Sequence, residues 1–155
     1  MFVYHFRLRK GMLAAGAAIL ALTVALSIFL PGCHHEESTP IAAATEDQRQ
    51  SFLADLGWAV NSAPTETLNL QLPQQWDGEW KEYVALQSDQ GLPFADYKGQ
   101  QVQRYTYAVN NYPGVEKGVQ INLYVCGEHL IGGDVISLGE NGFQVGLAFP
   151  NQSKT

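Results

Sequence analysis

The most prominent hydrophobic feature of the chain is a run of twenty residues without a charged side chain, GMLAAGAAILALTVALSIFL, over residues 11–30. As an α-helix it would span about 30 Å, the thickness of the hydrocarbon core of a bilayer. Arg7, Arg9 and Lys10 precede the run, and cationic residues mark the cytoplasmic side of a membrane helix. We therefore predict a single-pass cell-membrane protein with its N-terminus in the cytoplasm and its C-terminal domain outside. Its first segments are a short basic cytoplasmic segment (1–10), a transmembrane helix (11–30) and a flexible juxtamembrane linker (31–44).

The end of this run leaves two kinds of anchor open. Leu30, Pro31, Gly32 and Cys33 resemble the lipobox of bacterial lipoproteins, in which the signal segment is cleaved before a lipid-modified cysteine. Pro31 departs from that pattern, because proline restrains the backbone that a peptidase must read. A secretory signal has an apolar region of about 7 to 15 residues, so a run of twenty favours retention. We predict the retained helix and keep lipidation of Cys33 as the alternative.

A short polar tract, HHEE at residues 34–37, follows directly. Imidazole and carboxylate groups both bind divalent metal ions. Adjacent residues on a flexible linker offer no preformed geometry, however, and the chain contains no HExxH motif or paired CxxC motif. We predict a solvated tract, no metal site and no cofactor.

The periodicity after the linker predicts two helices. TEDQ at residues 45–48 is a capping signature, and Phe52, Leu53 and Leu56 then form an apolar stripe that ends at Gly57. A second helix is predicted from about Trp76 to Ser88, because its aromatic residues recur at helical spacing while its charged residues fall between them. This aromatic stripe is interpreted as core rather than as an exposed binding platform.

Period-two alternation predicts the remaining elements as strands. They comprise residues 67–72, residues 103–109, residues 119–125, a return strand from His129 to Ser137 after a Gly127–Glu128 turn, and a last strand at residues 143–147 after Asn141 and Gly142. The fold class predicted is α+β, with two helices packed on one face of a roughly five-stranded, mostly antiparallel sheet. We place this single extracytoplasmic domain at residues 45–150 and a disordered tail at residues 151–155.

Gly132, Gly133 and Asp134 interrupt the otherwise apolar return strand. Glycines inside a strand mark a bulge or a close backbone approach, and a bulge is the interpretation favoured here. Asp134 beside them could coordinate a cation or orient a substrate, although one carboxylate is not a site. These three residues, together with Tyr105 and Tyr107 on one side of an earlier strand, form the candidate interaction or structural motif.

Composition narrows the classes of partner and reaction. From Pro31 onward the chain carries 6 basic and 15 acidic side chains, a formal charge of −9 that repels phosphate backbones. Nucleic acid is therefore excluded as a partner. The motifs GxSxG, SxxK and HExxH are absent, and we predict no catalytic residues and no enzymatic activity. Cys33 and Cys126 are the two cysteines, and their spacing does not favour a disulfide bond.

Three sequence blocks carry a resemblance to a known family. FLADLGW (52–58), YVALQSDQGLPFADYKGQQVQRYTYAVNNYP (83–113) and HLIGGDVIS (129–137) together resemble an uncharacterised family of bacterial envelope domains, domain of unknown function 4830. The resemblance covers essentially the whole extracytoplasmic part. It implies a small domain behind one N-terminal membrane segment, mainly in Gram-positive bacteria, and it implies no reaction.

Three functional classes follow from these observations. We predict a binding or interaction module at the cell envelope, engaging an unknown protein, peptide or glycan, because one small anchored domain without a reactive motif fits that class best. An envelope-acting enzyme with an unfamiliar motif is the first alternative. A small membrane-bound regulator or sensor, with the transmembrane helix as the route of its signal, is the second.

Overall fold

The structure, a computed structural model, describes residues 39–139 and 142–150. The predicted transmembrane helix, Cys33, the HHEE tract and the predicted tail all lie outside the described residues. Of the helices that are described, none has the length and apolar character needed to cross a bilayer.

The described residues form two α-helices and one short 3-10 helix: α1 (Glu46–Asp55), α2 (Glu79–Asp89) and the 3-10 helix Phe94–Tyr97. The predicted capping box is confirmed, since the Thr45 hydroxyl accepts from the Gln48 amide at 3.2 Å and the Gln48 side chain accepts from the Thr45 amide at 3.0 Å. α2 begins three residues later than predicted. Gly78, with φ +51°, precedes its first turn, and this backbone conformation cannot continue a helix from Trp76.

In the part of the chain that the structure describes, six strands form one antiparallel sheet in the order β1-β5-β4-β3-β2, with β6 also paired to β5. Their bounds are β1 Ile41–Ala42, β2 Glu66–Gln71, β3 Gln101–Ala108, β4 Val119–Cys126, β5 His129–Ser137 and β6 Gln144–Val145. The α+β class and the meander of the last four strands are confirmed. The extra strand is β1, which lies in the segment predicted as linker. It pairs with the start of β5, and Ala43 beside it is 1% exposed.

The two helices lie on opposite faces of the sheet, so the prediction that they share one face is wrong. In β4, Ile121 and Leu123 belong to the apolar cluster that includes Leu53 of α1. The alternate residue Tyr124 belongs to a second cluster, against which Trp80 and Tyr83 of α2 pack. Successive side chains of a strand point to opposite faces, so a strand buried on both sides requires a layer on each. We call the two sides the α1 face and the α2 face.

The β4–β5 hairpin carries the two local features predicted for it. Gly127 at the turn has φ +59°, and no described non-glycine residue has a positive φ, which fits a type II′ turn with glycine first. The register shifts between Tyr124 and Val125, where Ile131 is the extra residue on β5. This is the predicted bulge, and it directly precedes the glycine pair.

Candidate functional site

The glycine pair of β5 accommodates close packing on both faces of the sheet. A Cβ built on Gly132 would lie 2.6 Å from Phe94 Cδ2, and one built on Gly133 would lie 2.7 Å from Leu147 Cδ1. The end of α2 is bonded to the same place: the Gly133 amide donates to Gln87 Oε1 at 2.8 Å, and Gln90 Nε2 donates to the Gly133 carbonyl at 3.1 Å. The close approach predicted for these glycines is therefore made by the protein itself.

Asp134 belongs to a row of polar side chains that crosses the α2 face. Thr106 of β3, Asn122 of β4 and Asp134 of β5 are direct neighbours in the strand register, and all three are buried. Thr106 Oγ1 donates to Asn122 Oδ1 at 2.8 Å. Gln144 Nε2 donates to Asp134 Oδ2 from the neighbouring strand β6. A polar row inside a sheet face is costly to bury unless its groups are bonded.

Two tyrosines and an arginine border this row. The rings of Tyr83 from α2 and Tyr124 from β4 meet edge to face with centroids 5.7 Å apart. Arg104 lies opposite Tyr124 on β3, and its Nη2 forms a 2.6 Å ion pair with Glu66 Oε2. We call Tyr83, Arg104, Tyr124 and Asp134 the polar cluster.

Three atoms of the polar cluster are buried without a hydrogen-bond partner among the described residues: Tyr83 Oη, Arg104 Nε and Asp134 Oδ1. The fourth such side-chain atom in the described part of the chain is Gln87 Nε2, on the adjoining turns of α2. Native domains leave few buried polar atoms unbonded, and each one calls for a physical explanation. Their concentration in one place makes the cluster a candidate site for a further polar group, either water or a ligand.

The environment of the polar cluster shifts the pKa values of its members. Burial raises the pKa of the Asp134 carboxyl above its ordinary value, although the neighbouring amides of Gln144 and Asn122 and the charge of Arg104 act in the opposite direction. Burial also raises the pKa of Tyr83 and Tyr124, and the negative charge of Asp134 adds to both shifts. The two hydroxyls therefore remain protonated at neutral pH.

A cleft opens between the first turns of α2 and strand β6, next to the polar cluster. It consists of two adjoining hollows of about 240 and 400 Å³ that share Glu79, Tyr83 and Gln144. The smaller hollow is also lined by Trp80 and Tyr124, and the larger one by Glu82 and Leu86. We call it the Asp134 cleft, because Gln144 at its wall is bonded to Asp134 behind it. The described residues of its surface provide aromatic rings, carboxylates and one amide, and none of them is basic.

The other candidate residues, Tyr105 and Tyr107, lie away from this cleft and contact α1. Arg49 Nε donates to Tyr107 Oη at 3.0 Å, and the Arg49 guanidinium lies 3.7 Å above the Tyr105 ring. Tyr107 Oη also bonds Glu46 at 3.1 Å, and burial raises the pKa of Tyr107 to about 12. The two tyrosines therefore hold a helix, and the candidate set divides between the two faces of the sheet.

His129 and Cys126 lie at the turn end of the hairpin. His129 lines a separate hollow of about 230 Å³ with Pro40 and Tyr97. Cys126 Sγ lies 3.6 Å from the Gln101 carbonyl oxygen, while Cys33 is outside the described residues, so the predicted absence of a disulfide bond stays a prediction. Within residues 39–139 and 142–150, no three His, Cys, Asp or Glu side chains are placed to share a metal ion.

Sequence reasoning identified Asp134 but missed Tyr83, Tyr124, Arg104 and Gln144. The helical spacing of Tyr83 predicts a core residue, and it does pack against Phe94, yet it also lines the cleft. The available signal was the second periodicity of β3 and β4, where Arg104, Thr106, Asn122 and Tyr124 alternate with the apolar residues. By itself such alternation indicates a strand with one side in solvent, so the sequence does not show that α2 covers the polar row.

Comparison with known proteins gives one match. No curated protein and no solved structure is similar enough to the chain to count as a match. One family model matches residues 52–135, which is more than half of the chain and includes α2, the glycine pair and Asp134. The chain therefore belongs to the family described as Domain of unknown function (DUF4830).

Proposed function

We propose that the protein is a binding module held at the outer side of the cell membrane, and that its ligand enters the Asp134 cleft. The observation that carries this proposal is the set of three unbonded buried polar atoms beside an open cleft. A buried polar atom without a partner costs about 1–3 kcal/mol, so a ligand that bonds these atoms recovers free energy that the free protein lacks.

The location rests on the sequence. The apolar run at residues 11–30 is long enough to span a bilayer, and the basic residues before it favour a cytoplasmic N-terminus. A retained helix would hold the domain at the outer membrane surface; a lipid on Cys33 would do the same by another anchor. In both cases the cleft faces envelope material.

Site-specific photo-crosslinking in intact cells tests the proposal. A photoreactive amino acid at Glu82, on the wall of the cleft, is expected to capture a discrete protein, peptide or glycan. The same photoreactive amino acid in place of Asp55 serves as the matched control, because Asp55 is exposed at the end of α1 on the opposite face of the sheet. Equal capture from both positions would contradict a specific site. Turnover of the captured material by the purified chain would instead establish the alternative, an envelope-acting enzyme.

A further inference from the structure

The charge of the residues around the Asp134 cleft determines which charge its ligand can carry. Glu79 and Glu82 are exposed on its walls and Asp134 lies behind Gln144. Among the described residues, no basic side chain lines either hollow. The amide groups at the N-terminus of α2 would attract an anion, but Glu79 and Glu82 already lie in that first turn. Arg104, the nearby cation, is paired with Glu66 at 2.6 Å. The balance of charge around the opening is negative and favours a cation.

Asp134 supplies an independent observation. It is 1% exposed, and its Oδ1 atom has no hydrogen-bond partner among the described residues. Its other oxygen accepts only the neutral amide of Gln144, a side chain that is itself exposed and belongs to a strand of two residues. Gln144 thus lines the cleft and bonds the buried carboxylate, and access to Asp134 requires that this exposed side chain rotate away.

The remaining walls suit an aliphatic stem that ends in a positive charge. Trp80, Tyr83 and Tyr124 present aromatic rings to the smaller hollow, and Leu86 lines the larger one. Aromatic faces attract cations, and apolar side chains bury methylene groups. An ammonium group carries three N–H donors, enough to bond both oxygens of Asp134 and the unbonded Tyr83 Oη.

We propose that the Asp134 cleft binds a protonated primary amine on an aliphatic stem, and that its ammonium group replaces the Gln144 amide at Asp134. This inference rests on the proposed function, because it names the class of ligand for the same site. A charged donor bonds a buried carboxylate more strongly than a neutral amide does, which gives the exchange its direction. The amine can come from a lysine-type side chain of a peptide or from a free diamine.

Two-dimensional NMR of the full-length chain in detergent micelles tests this class of ligand. The probes are acetyl-Gly-Lys-Gly-amide, the same peptide acetylated at its side-chain nitrogen, cadaverine as a free amine, and a chitin oligosaccharide as a neutral glycan. We expect the lysine peptide to shift the side-chain amide resonances of Gln144 and the acetylated peptide to leave them unchanged. A shift by cadaverine as well shows that the amine alone suffices; a shift by the peptide alone assigns the source to a peptide.

Two substitutions test whether the ammonium group displaces the Gln144 amide from Asp134 or only contacts the cleft. Asp134→Asn is expected to weaken binding of the lysine peptide at least about tenfold, while the control Asp55→Asn leaves it unchanged. Gln144→Ala is expected to strengthen binding, because the competing amide is gone. This second variant changes an exposed side chain and carries the test alone if Asp134→Asn does not fold.

Several results would overturn the inference. Equal binding of the lysine peptide and its acetylated form would remove the role of the charge, and weaker binding by Gln144→Ala would remove the displacement. Binding of the glycan alone at the cleft would refute the amine while the proposed binding function stands. If no probe shifts the resonances of the cleft residues and the crosslinker at Glu82 captures nothing, both the amine ligand and the proposed binding function are refuted.

Discussion

Among single residues, Arg49 shows how one buried charge can attach a helix to a sheet. It is 5% exposed and donates to the carbonyl oxygens of Ala43 and Ala44 at 2.7 and 2.9 Å, in addition to bonding Tyr107 and Glu46. The planar guanidinium group provides five donors in a fixed geometry, so it can bond four groups at once. The segment before α1, the helix itself and strand β3 are therefore joined through one side chain.

Arg49→Met is expected to lower the free energy of unfolding by about 1–3 kcal/mol, because it leaves the carbonyl oxygens of Ala43 and Ala44 without their side-chain donor. Urea unfolding of the full-length chain, followed by tryptophan fluorescence, measures this loss. Lys81→Met, at an exposed position of α2, is the matched control and should change stability by less than about 0.5 kcal/mol. A similar loss in both variants would show that Arg49 acts only through its bulk.

Asp134 makes a pH-dependent contribution whose sign follows from its environment. Burial raises its pKa in the folded chain above the ordinary value of 3.8, so the folded state binds more protons than the unfolded state in the interval between the two pKa values. Stability is therefore lost as the pH rises through that interval and stays constant above it. In the structure, Asn122, Gln144 and the positive charge of Arg104 reduce the shift without reversing it.

Asp134→Asn is expected to remove this loss, because an amide of the same shape carries no charge to bury. The stability of the variant relative to the natural chain should thus be higher at about pH 7 than at about pH 3, where the carboxyl is protonated in both states. Urea unfolding of both proteins at the two pH values gives the comparison, in which the other carboxyl groups cancel. A difference that does not change with pH would show that Asp134 is not buried as a charged group.

At the scale of elements, the glycine pair in β5 determines how closely α2 and the last loop approach the sheet. Alanine at position 132 would place its Cβ against Phe94, which is fully buried, and alanine at position 133 would also come within 2.9 Å of the Asn122 carbonyl oxygen. Close-packed interiors have no free space to absorb such a methyl group. Phe94 and Leu147 can therefore pack against β5 only because positions 132 and 133 carry no side chain.

Gly132→Ala and Gly133→Ala are each expected to cost about 1–3 kcal/mol of stability through overpacking. Gly139→Ala is the matched control, since its Cβ would meet only Ser137 Oγ at 3.8 Å and its backbone conformation suits alanine. Thermal unfolding of the three variants measures the effect. Equal midpoints for all three would contradict the close contact seen at β5.

The sequence determined the elements better than their arrangement, and β4 and β5 show why. Apolar residues alternate in β4 from Val119 to Val125, and Gly127 provides the turn, so both the strand and its hairpin could be predicted. The same alternation hides the second buried face, because Asn122 and Tyr124 occupy the alternate positions that a strand with one buried side presents to solvent. The bulge at Ile131 also changes which β5 residues share a side with Tyr124. Asp134 could be singled out, but its neighbours come from four different elements that only folding brings together.

At the scale of the whole molecule, the proposed function requires that the anchor place the cleft on the outer side of the membrane. The domain is small, with two core clusters that share one sheet, and the described part offers a cleft on its α2 face. Along the sequence, three cations come first, an apolar run of bilayer length follows, and the acidic remainder contains the domain. This distribution of charge matches export of the acidic part, since positive residues stay in the cytoplasm.

The two anchors predict different masses for the membrane-extracted protein. A retained helix gives the mass of the unprocessed chain, whereas lipidation gives residues 33–155 with a diacylglyceryl group on Cys33. We expect the unprocessed mass, because the apolar run is longer than that of a secretory signal. Cys33→Ser should then change the mass only by the substitution itself. The amount of protein in the membrane fraction should stay the same. Protease added outside intact cells is expected to degrade the domain in both proteins, and a domain that resists it until the cells are lysed would refute the proposed orientation.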